Sequence, residues 1–477
     1  MKSKRILALC ILLVSIFTTI YGCSLAPKFT KPQPPVPNEW PKGEAYRESK
    51  SGEIPAWELQ WDEFLQDPRL KSIVAMALAH NRDLRLAALN VERARALYGI
   101  QRAELFPSVN LSATASKQRV PGDLSGMGKA VTVEQYSVNL GIAAWEIDFF
   151  GRIRSLKDRA LEEYLATEEA KRGAELLLVS ETSRVFLSLA ADKEKQRIAR
   201  STLEVQSSVY DLIKKRFDIG LASELDLRRA QSQVEASKSE LARYTQAVTL
   251  DVNALNLLAG KEVPSELLPG GLGDLVPPRE IAAGISSEVL LLRPDIAAAE
   301  HNLRAANFDI GAARAALFPR ISLTTALGTA SGDLTGLFKG GSGTWSYMPQ
   351  LVLPIFDARL WAALDATKVQ KEIAIAQYEK VIQQAFKEVA DALAEKGTIE
   401  DQLEAQRSLV EAARRSYELA KARYFQGLDS YLSVLDAQRS LYEAEQGLVN
   451  LEWAKLANRV KLYTVLGGKA SDHELGP

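Results

Sequence analysis

DLRLAALNVERARALYGIQRAELFP, residues 83–107, and DIAAAEHNLRAANFDIGAARAALFP, residues 295–319, align without a gap. Ten of the 25 positions are identical, among them Asn90 with Asn302, Gly99 with Gly311, Arg102 with Arg314, and Leu105-Phe106-Pro107 with Leu317-Phe318-Pro319. Chance does not give such a match, so the chain is an internal duplication. The match resumes downstream, where Arg216-Phe217-Asp218-Ile219-Gly220-Leu221-Ala222-Ser223 sits over Arg423-Tyr424-Phe425-Gln426-Gly427-Leu428-Asp429-Ser430, and Ala230-Gln231 over Ala437-Gln438. Even the loops between share a pattern, Gly122-Asp123-Leu124-Ser125-Gly126 against Gly332-Asp333-Leu334-Thr335-Gly336.

Each repeat reads as helix, strand pair, long helix, turn, helix. After the shared Phe-Pro the period changes to two. Val109, Leu111 and Ala113 alternate with Asn110, Ser112 and Thr114, and Tyr136, Val138, Leu140 and Ile142 alternate with polar residues across the glycine-rich loop. Ile321, Leu323 and Leu327, then Trp345, Tyr347, Leu351 and Leu353, repeat this in the second half. Such alternation predicts strands with one apolar and one polar face, over about 107–117, 132–143, 320–328 and 344–354. Strands of about ten residues suit a tilted membrane crossing, but four cannot close a barrel, which needs about eight. They are therefore shared between subunits or belong to a soluble sheet. Pro349 cannot donate to a ladder and predicts a bulge or strand end.

The remainder predicts long helices. Ile375, Tyr378, Ile382, Ala385, Val389 and Ala392 recur in threes and fours, as do Val449, Trp453, Leu456, Val460 and Tyr463. These are coiled-coil-like seams. The run from Arg154 to Phe217 has no proline, and as one helix it spans on the order of 90 Å.

Composition narrows the function. The 477 residues carry 59 basic against 60 acidic side chains, which offers no basic excess for nucleic acid. The two cysteines, Cys10 and Cys23, are both near the N-terminus, which leaves no disulfide framework or thiolate metal site in the body. Lys2, Lys4 and Arg5 precede a short apolar run from Ile6 to Tyr21, the pattern of a signal peptide over residues 1–22. Ile20-Tyr21-Gly22-Cys23 resembles the lipobox of bacterial lipoproteins. That resemblance implies cleavage before Cys23 and an N-acyl, S-diacylglyceryl lipid on it, with Ser24 suiting export to the outer membrane. The prolines at 32, 34, 35, 37 and 41 predict an extended strap over 23–60. The first repeat then covers 61–275 with its tip near 220, the second 276–468 with its tip near 427, and a short tail 469–477.

The chain resembles the TolC-like outer-membrane factors, in their lipoprotein branch that serves tripartite export pumps. The resemblance covers the mature chain and rests on Trp61-Asp62-Glu63-Phe64-Leu65-Gln66-Asp67-Pro68, Asn81-Arg82-Asp83-Leu84-Arg85, Arg293-Pro294-Asp295-Ile296, Ile310-Gly311, Phe318-Pro319-Arg320-Ile321 and the turns at Gly220 and Gly427. It implies a mixed membrane β-barrel and α-helical barrel, in which a homotrimer pools four transmembrane strands per protomer into twelve. It further implies an outer-membrane location with helices reaching into the periplasm. Gly220, Leu221, Gly427 and Leu428 would be the tips docking on a membrane-fusion adaptor and an inner-membrane pump, of the RND type. A ring of Leu432 and a ring of Asp436 would constrict the pore, with Arg439 as a pairing partner. Ser433 stands where some relatives carry a second aspartate. The function so implied is a passive, multidrug-type exit duct for drugs or other small solutes.

Nothing in the sequence supports catalysis or a resident cofactor. His80, His301 and His473 are scattered, with no metal-ligand spacing, and His80 and His301 read as helix-face residues rather than ligands. Two other readings remain open on sequence, a lipidated periplasmic adaptor and a structural coiled-coil lipoprotein.

Overall fold

The computed structural model describes residues 24–46, 54–282 and 286–469. Seven helices and four strands carry the two repeats. In chain order they are α1 (Pro68–His80), α2 (Arg82–Ala103), β1 (Val109–Val120), β2 (Val131–Ile147), α3 (Arg152–Asp218), α4 (Glu224–Ala259), α5 (Pro294–Ala315), β3 (Arg320–Ser331), β4 (Gly343–Val352), α6 (Ala358–Phe425) and α7 (Tyr431–Val465). No helix among the described residues is long and apolar enough to cross a membrane.

Compactness divides the chain differently from sequence. One unit gathers residues up to Gln33 with Val91–Thr167 and Ala299–Tyr378; the other gathers Pro34–Asn90, Glu168–Ala298 and Glu379 onward. Each unit thus takes matching pieces of both repeats.

The first unit holds a single antiparallel sheet in the order β1-β2-β3-β4. Its register places Leu111, Leu140, Leu327 and Trp345 in one row across all four strands. Each of these is more than half exposed, so the sheet has an uncovered apolar face. The next row, Ser112, Asn139, Gly328 and Thr344, points the other way and is polar or small. Both faces follow from the period of two. Two glycines on the polar face are forced, since a Cβ at Gly141 or Gly328 would run into the backbone of the neighbouring strand.

The strands run slightly beyond the expected bounds, to Val120 and Ile147 in the first pair. Two features differ in kind. Pro349 interrupts nothing: it pairs with Leu323 inside β4, because β4 is an edge strand and an edge tolerates a residue with no N–H. The bulge lies in β2 instead, between Ile142 and Trp145, where Ala144 adopts φ 52° and its N–H turns to Thr324 Oγ1 at 3.1 Å.

In the second unit the expected stripe is the core: Tyr378, at the first unit's border, leads into Ile382, Ala385, Val389 and Ala392, all buried. Each contributes roughly 1–3 kcal/mol of burial free energy according to size. Resemblance motifs prove to be joints. Asp67 caps α1, accepting from the N–H of Arg69 at 3.0 Å, and its other oxygen takes Arg69 Nη2 at 2.8 Å. Asn81 caps α2 through the N–H of Leu84 at 2.9 Å and donates to Leu258 O at 3.0 Å. Arg293 forks on Asp295 (3.0 and 2.8 Å) and reaches Glu388 at 2.9 Å. Phe64 stacks on Tyr463 with centroids 4.2 Å apart. His301 lies on α5 with its Nδ1 2.6 Å from Glu162 on α3.

Candidate gate and docking tips

The two tips close in the same way. Helix α3 ends where Leu221 N–H donates to Arg216 O at 2.7 Å and Gly220 N–H to Phe217 O at 2.9 Å. Helix α6 ends where Leu428 N–H donates to Arg423 O at 2.9 Å and Gly427 N–H to Tyr424 O at 3.0 Å. This paired pattern needs a left-handed residue at the glycine, and φ is 76° at Gly220 and 75° at Gly427. Both glycines face open space, and Leu221 and Leu428 stand exposed beside them. The turns therefore present apolar knobs on backbone that packing does not cover. Beyond them Ser223 caps α4 through Asp226 N–H at 3.1 Å. At the second tip Arg423 pairs with Asp429 at 2.5 Å, and that guanidinium holds the Asp429 carboxyl below the usual range.

Helix α7 is seated by Tyr431 and Val434, which are buried with Ile213 and Ala230. Burial pushes the Tyr431 phenol well above its ordinary range. With those residues inward, Leu432 and Asp436 turn together, one helical turn apart, to the wall of a hollow of about 290 Å³ shared with Gln233, Ser237, Gln438 and Arg439. Leu432 is 45% exposed, a large apolar residue left uncovered at the mouth of that hollow. Asp436 and Arg439 do meet, Oδ1 to Nη2 at 3.6 Å, but both are exposed, and such a pair contributes little within one chain. The structure thus brings Leu432, Asp436 and Arg439 to one face, while the Gly220 and Gly427 turns belong to separate helix ends.

Sequence reading missed the residues that hold α7 in place. Gln438 accepts a hydrogen bond from Gln206 on α3. Tyr442 donates to Glu240 on α4 at 3.3 Å, and Gln446 accepts from Tyr244 at 2.7 Å. Arg243 binds Glu240 at 2.6 Å and holds its carboxyl low. The four-residue spacing of Gln438, Tyr442 and Gln446 was the available signal, since it sets three hydrogen-bonding side chains on one face. Cys23 lies outside the described residues.

Comparison with known proteins gives one answer. The family described as outer membrane efflux protein matches residues 73–261 and 285–468. An antibiotic efflux pump outer membrane protein, ArpC of Pseudomonas putida, is 44% identical over 460 residues, covering 96% of this chain and 95% of its own. A toluene efflux pump outer membrane protein, TtgC of the same species, matches to the same extent, 44% over 460 residues with the same coverage. The crystal structure of the open state of the MtrE outer membrane channel of Neisseria gonorrhoeae superposes with a TM-score of 0.83 at 34% identity, over 94% of this chain and 98% of that one. With its duplicated helices, its open amphipathic sheet and these relatives spanning nearly its whole length, the chain belongs to the outer membrane efflux protein family.

Proposed function

We propose that three copies of this chain close one twelve-stranded barrel and that the tips carrying Leu432 and Asp436 form its periplasmic gate. The protein is the outer-membrane exit duct of an efflux system. The observation that carries the trimeric reading is the sheet itself. Its two outer strands, β1 and β4, each have an unpaired edge, and its apolar face is uncovered. An open edge in hydrocarbon leaves backbone groups unsatisfied at several kcal/mol each, so a four-stranded sheet crosses a membrane only as part of a closed ring. Pairing β4 of one copy with β1 of the next closes both edges, Pro349 alone having no N–H to give.

At the tips, three Asp436 carboxylates on one axis would repel and three Leu432 side chains would fill the lumen. Arg439, which within one protomer makes only exposed pairs with Asp436 and Glu443, then gains the carboxylates of neighbouring copies as partners. Leu221 and Leu428, exposed beside Gly220 and Gly427, offer the apolar contact for an adaptor, and through it for an inner-membrane pump of the RND type. Cys23 carries the acyl anchor. Relatives named for antibiotic and toluene efflux support a cargo of small drugs and solvents.

Planar-bilayer conductance of the purified protein tests this, unmodified and with Leu432→Ala plus Asp436→Ala. A small flickering conductance that turns large and steady in the variant is the expected result. An equally open pore in both forms would move the constriction elsewhere. No current from either, with a detergent-resistant trimer present, would sink the duct.

A further inference from the structure

The first described residues of the chain, Ser24 to Lys31, are laid along α5 by a contact at every turn. Arg314 Nη1 donates to Leu25 O at 3.2 Å, and Asn307 Nδ2 donates to Pro27 O at 2.8 Å. The Arg304 guanidinium lies over the Phe29 ring, 5.2 Å from its centroid, and Lys31 pairs with Glu300 at 2.7 Å. Residues 314, 311, 307, 304 and 300 descend in threes and fours, so they form one stripe. The lengths agree as well. Six extended residues cover about 20 Å at about 3.3 Å each, and fourteen helical residues cover about 21 Å at 1.5 Å each.

Gly311 sits mid-stripe. A Cβ there would come within 2.8 Å of the Ala26 Cβ and 2.8 Å of Ser155 Oγ on α3, closer than real carbons approach. The duplication supplies an internal control. Gly99 holds the same place on α2, yet a Cβ there would meet nothing within 4 Å. Gly99 and Arg102 keep the glycine and arginine of the stripe. The three other side chains are gone, because Ala88, Glu92 and Arg95 stand where the second repeat has Glu300, Arg304 and Asn307.

We propose that Ser24–Lys31 is a docking strap with a built groove on α5, and that Gly311 is the residue that admits it. The strap leaves the groove beside Arg314, at the end of α5 that leads through Phe318 into β3. Cys23 stands two residues before Leu25 in the sequence, so on the reading that it carries the acyl anchor, docking holds the chain that leads to that anchor against the Arg314 end of α5. Docking does not depend on the lipid, and it discriminates between two helices of common origin.

Tryptic cleavage after Lys28, an exposed residue within the strap, reads the docking directly in the full-length, detergent-purified protein. A protease needs the strap lifted off, so the rate follows that local opening. The expected result is slow cleavage in the unmodified protein and in Gly99→Leu, and cleavage roughly tenfold faster or more in Gly311→Leu, from overpacking. Arg314→Ala adds no bulk and should speed cleavage about fivefold by removing one hydrogen bond. Equal rates for Gly311→Leu and Gly99→Leu, both folded by circular dichroism, overturn the proposal. Should Gly311→Leu fail to fold, an unchanged rate in Arg314→Ala overturns it instead.

Discussion

Residues 251 and 458 hold the same place in the two repeats, 207 positions apart, in the register that sets Ala230-Gln231 over Ala437-Gln438. Ser188 and Glu395, on the helices they face, are also 207 apart. In the second repeat the polar pair is complete. Asn458 is buried at 3% exposure, and its Nδ2 donates to Ala392 O at 3.1 Å and to Glu395 Oε2 at 2.9 Å. In the first repeat the acid has changed sides. Asp251 takes a hydrogen bond from Ser188, but its Oδ2 is buried with no partner and Asp192 stands near. Burial first, and the Asp192 charge second, push its carboxyl up to about 6, against the pull of Arg184 and Lys195. Duplication has kept a polar contact between the same two helix positions. It has not kept which helix carries the acid, and only one arrangement satisfies every atom.

The largest effect should come from making the second repeat resemble the first. Asn458→Asp removes the donor and sets an acid against Glu395 in a buried site. It should cost about 3 kcal/mol at pH 7, read as an earlier heat-induced loss of helical circular dichroism. A variant as stable as the parent would mean that site is wetter than its burial indicates.

The arginines that open the long helices come next. Arg152 forks on Glu146 at 2.9 and 2.8 Å, and Glu146 also takes Arg320 at 3.1 Å. Arg359, again 207 positions on, forks on Asp357 in open solvent. Arg152→Ala should cost about 2 kcal/mol in the same melt, from a half-buried carboxylate left short of a partner. Arg359→Ala should change nothing measurable. Equal losses would erase the asymmetry between the repeats.

The tips should respond alike, because their backbones do. Gly220→Ala and Gly427→Ala should each cost about 1 kcal/mol, the strain of a side chain at positive φ with nothing to clash against. A large difference between them would show that one tip is held by contacts the other lacks.

The reverse conversion, Asp251→Asn, has its signature in pH. An acid whose folded pKa lies above its unfolded one binds its proton more readily when folded. Its contribution to stability is full below pH 3.8 and is lost as pH rises through 6. Melting temperatures measured between pH 4 and 7.5 should therefore fall less steeply in the variant. An unaltered slope would remove Asp251 as the titrating group.

Much of this molecule is legible from residues alone where local chemistry is decisive. The alternation from Val109 to Ala113 sets the two sheet faces, and the glycines at 220 and 427 mark the tips, since few other residues accept their φ. The spacing of Leu432 and Asp436 puts them on one face whatever surrounds them. The bulge at Ala144 escaped notice because alanines fit any pattern. Pro349 misled because its cost depends on whether a strand is central or at an edge, which only the sheet order tells. Gln206, partner of Gln438 from 232 residues away, gave no local sign.

Sequence by itself determined that the chain is duplicated, which segments are strands and helices, where the helices reverse and which faces are apolar. These are matters of period and of backbone angle, settled within a few residues. Tertiary structure alone decided which copy of each duplicated feature gained a partner: Gly311 rather than Gly99 against the strap, Asn458 rather than Asp251 fully bonded, Arg152 rather than Arg359 enclosed. The first two outcomes turn on a contact with a distant segment and the third on Glu146, six residues away but shared with the distant Arg320. The free energy of such contacts depends on the burial and partners that packing supplies.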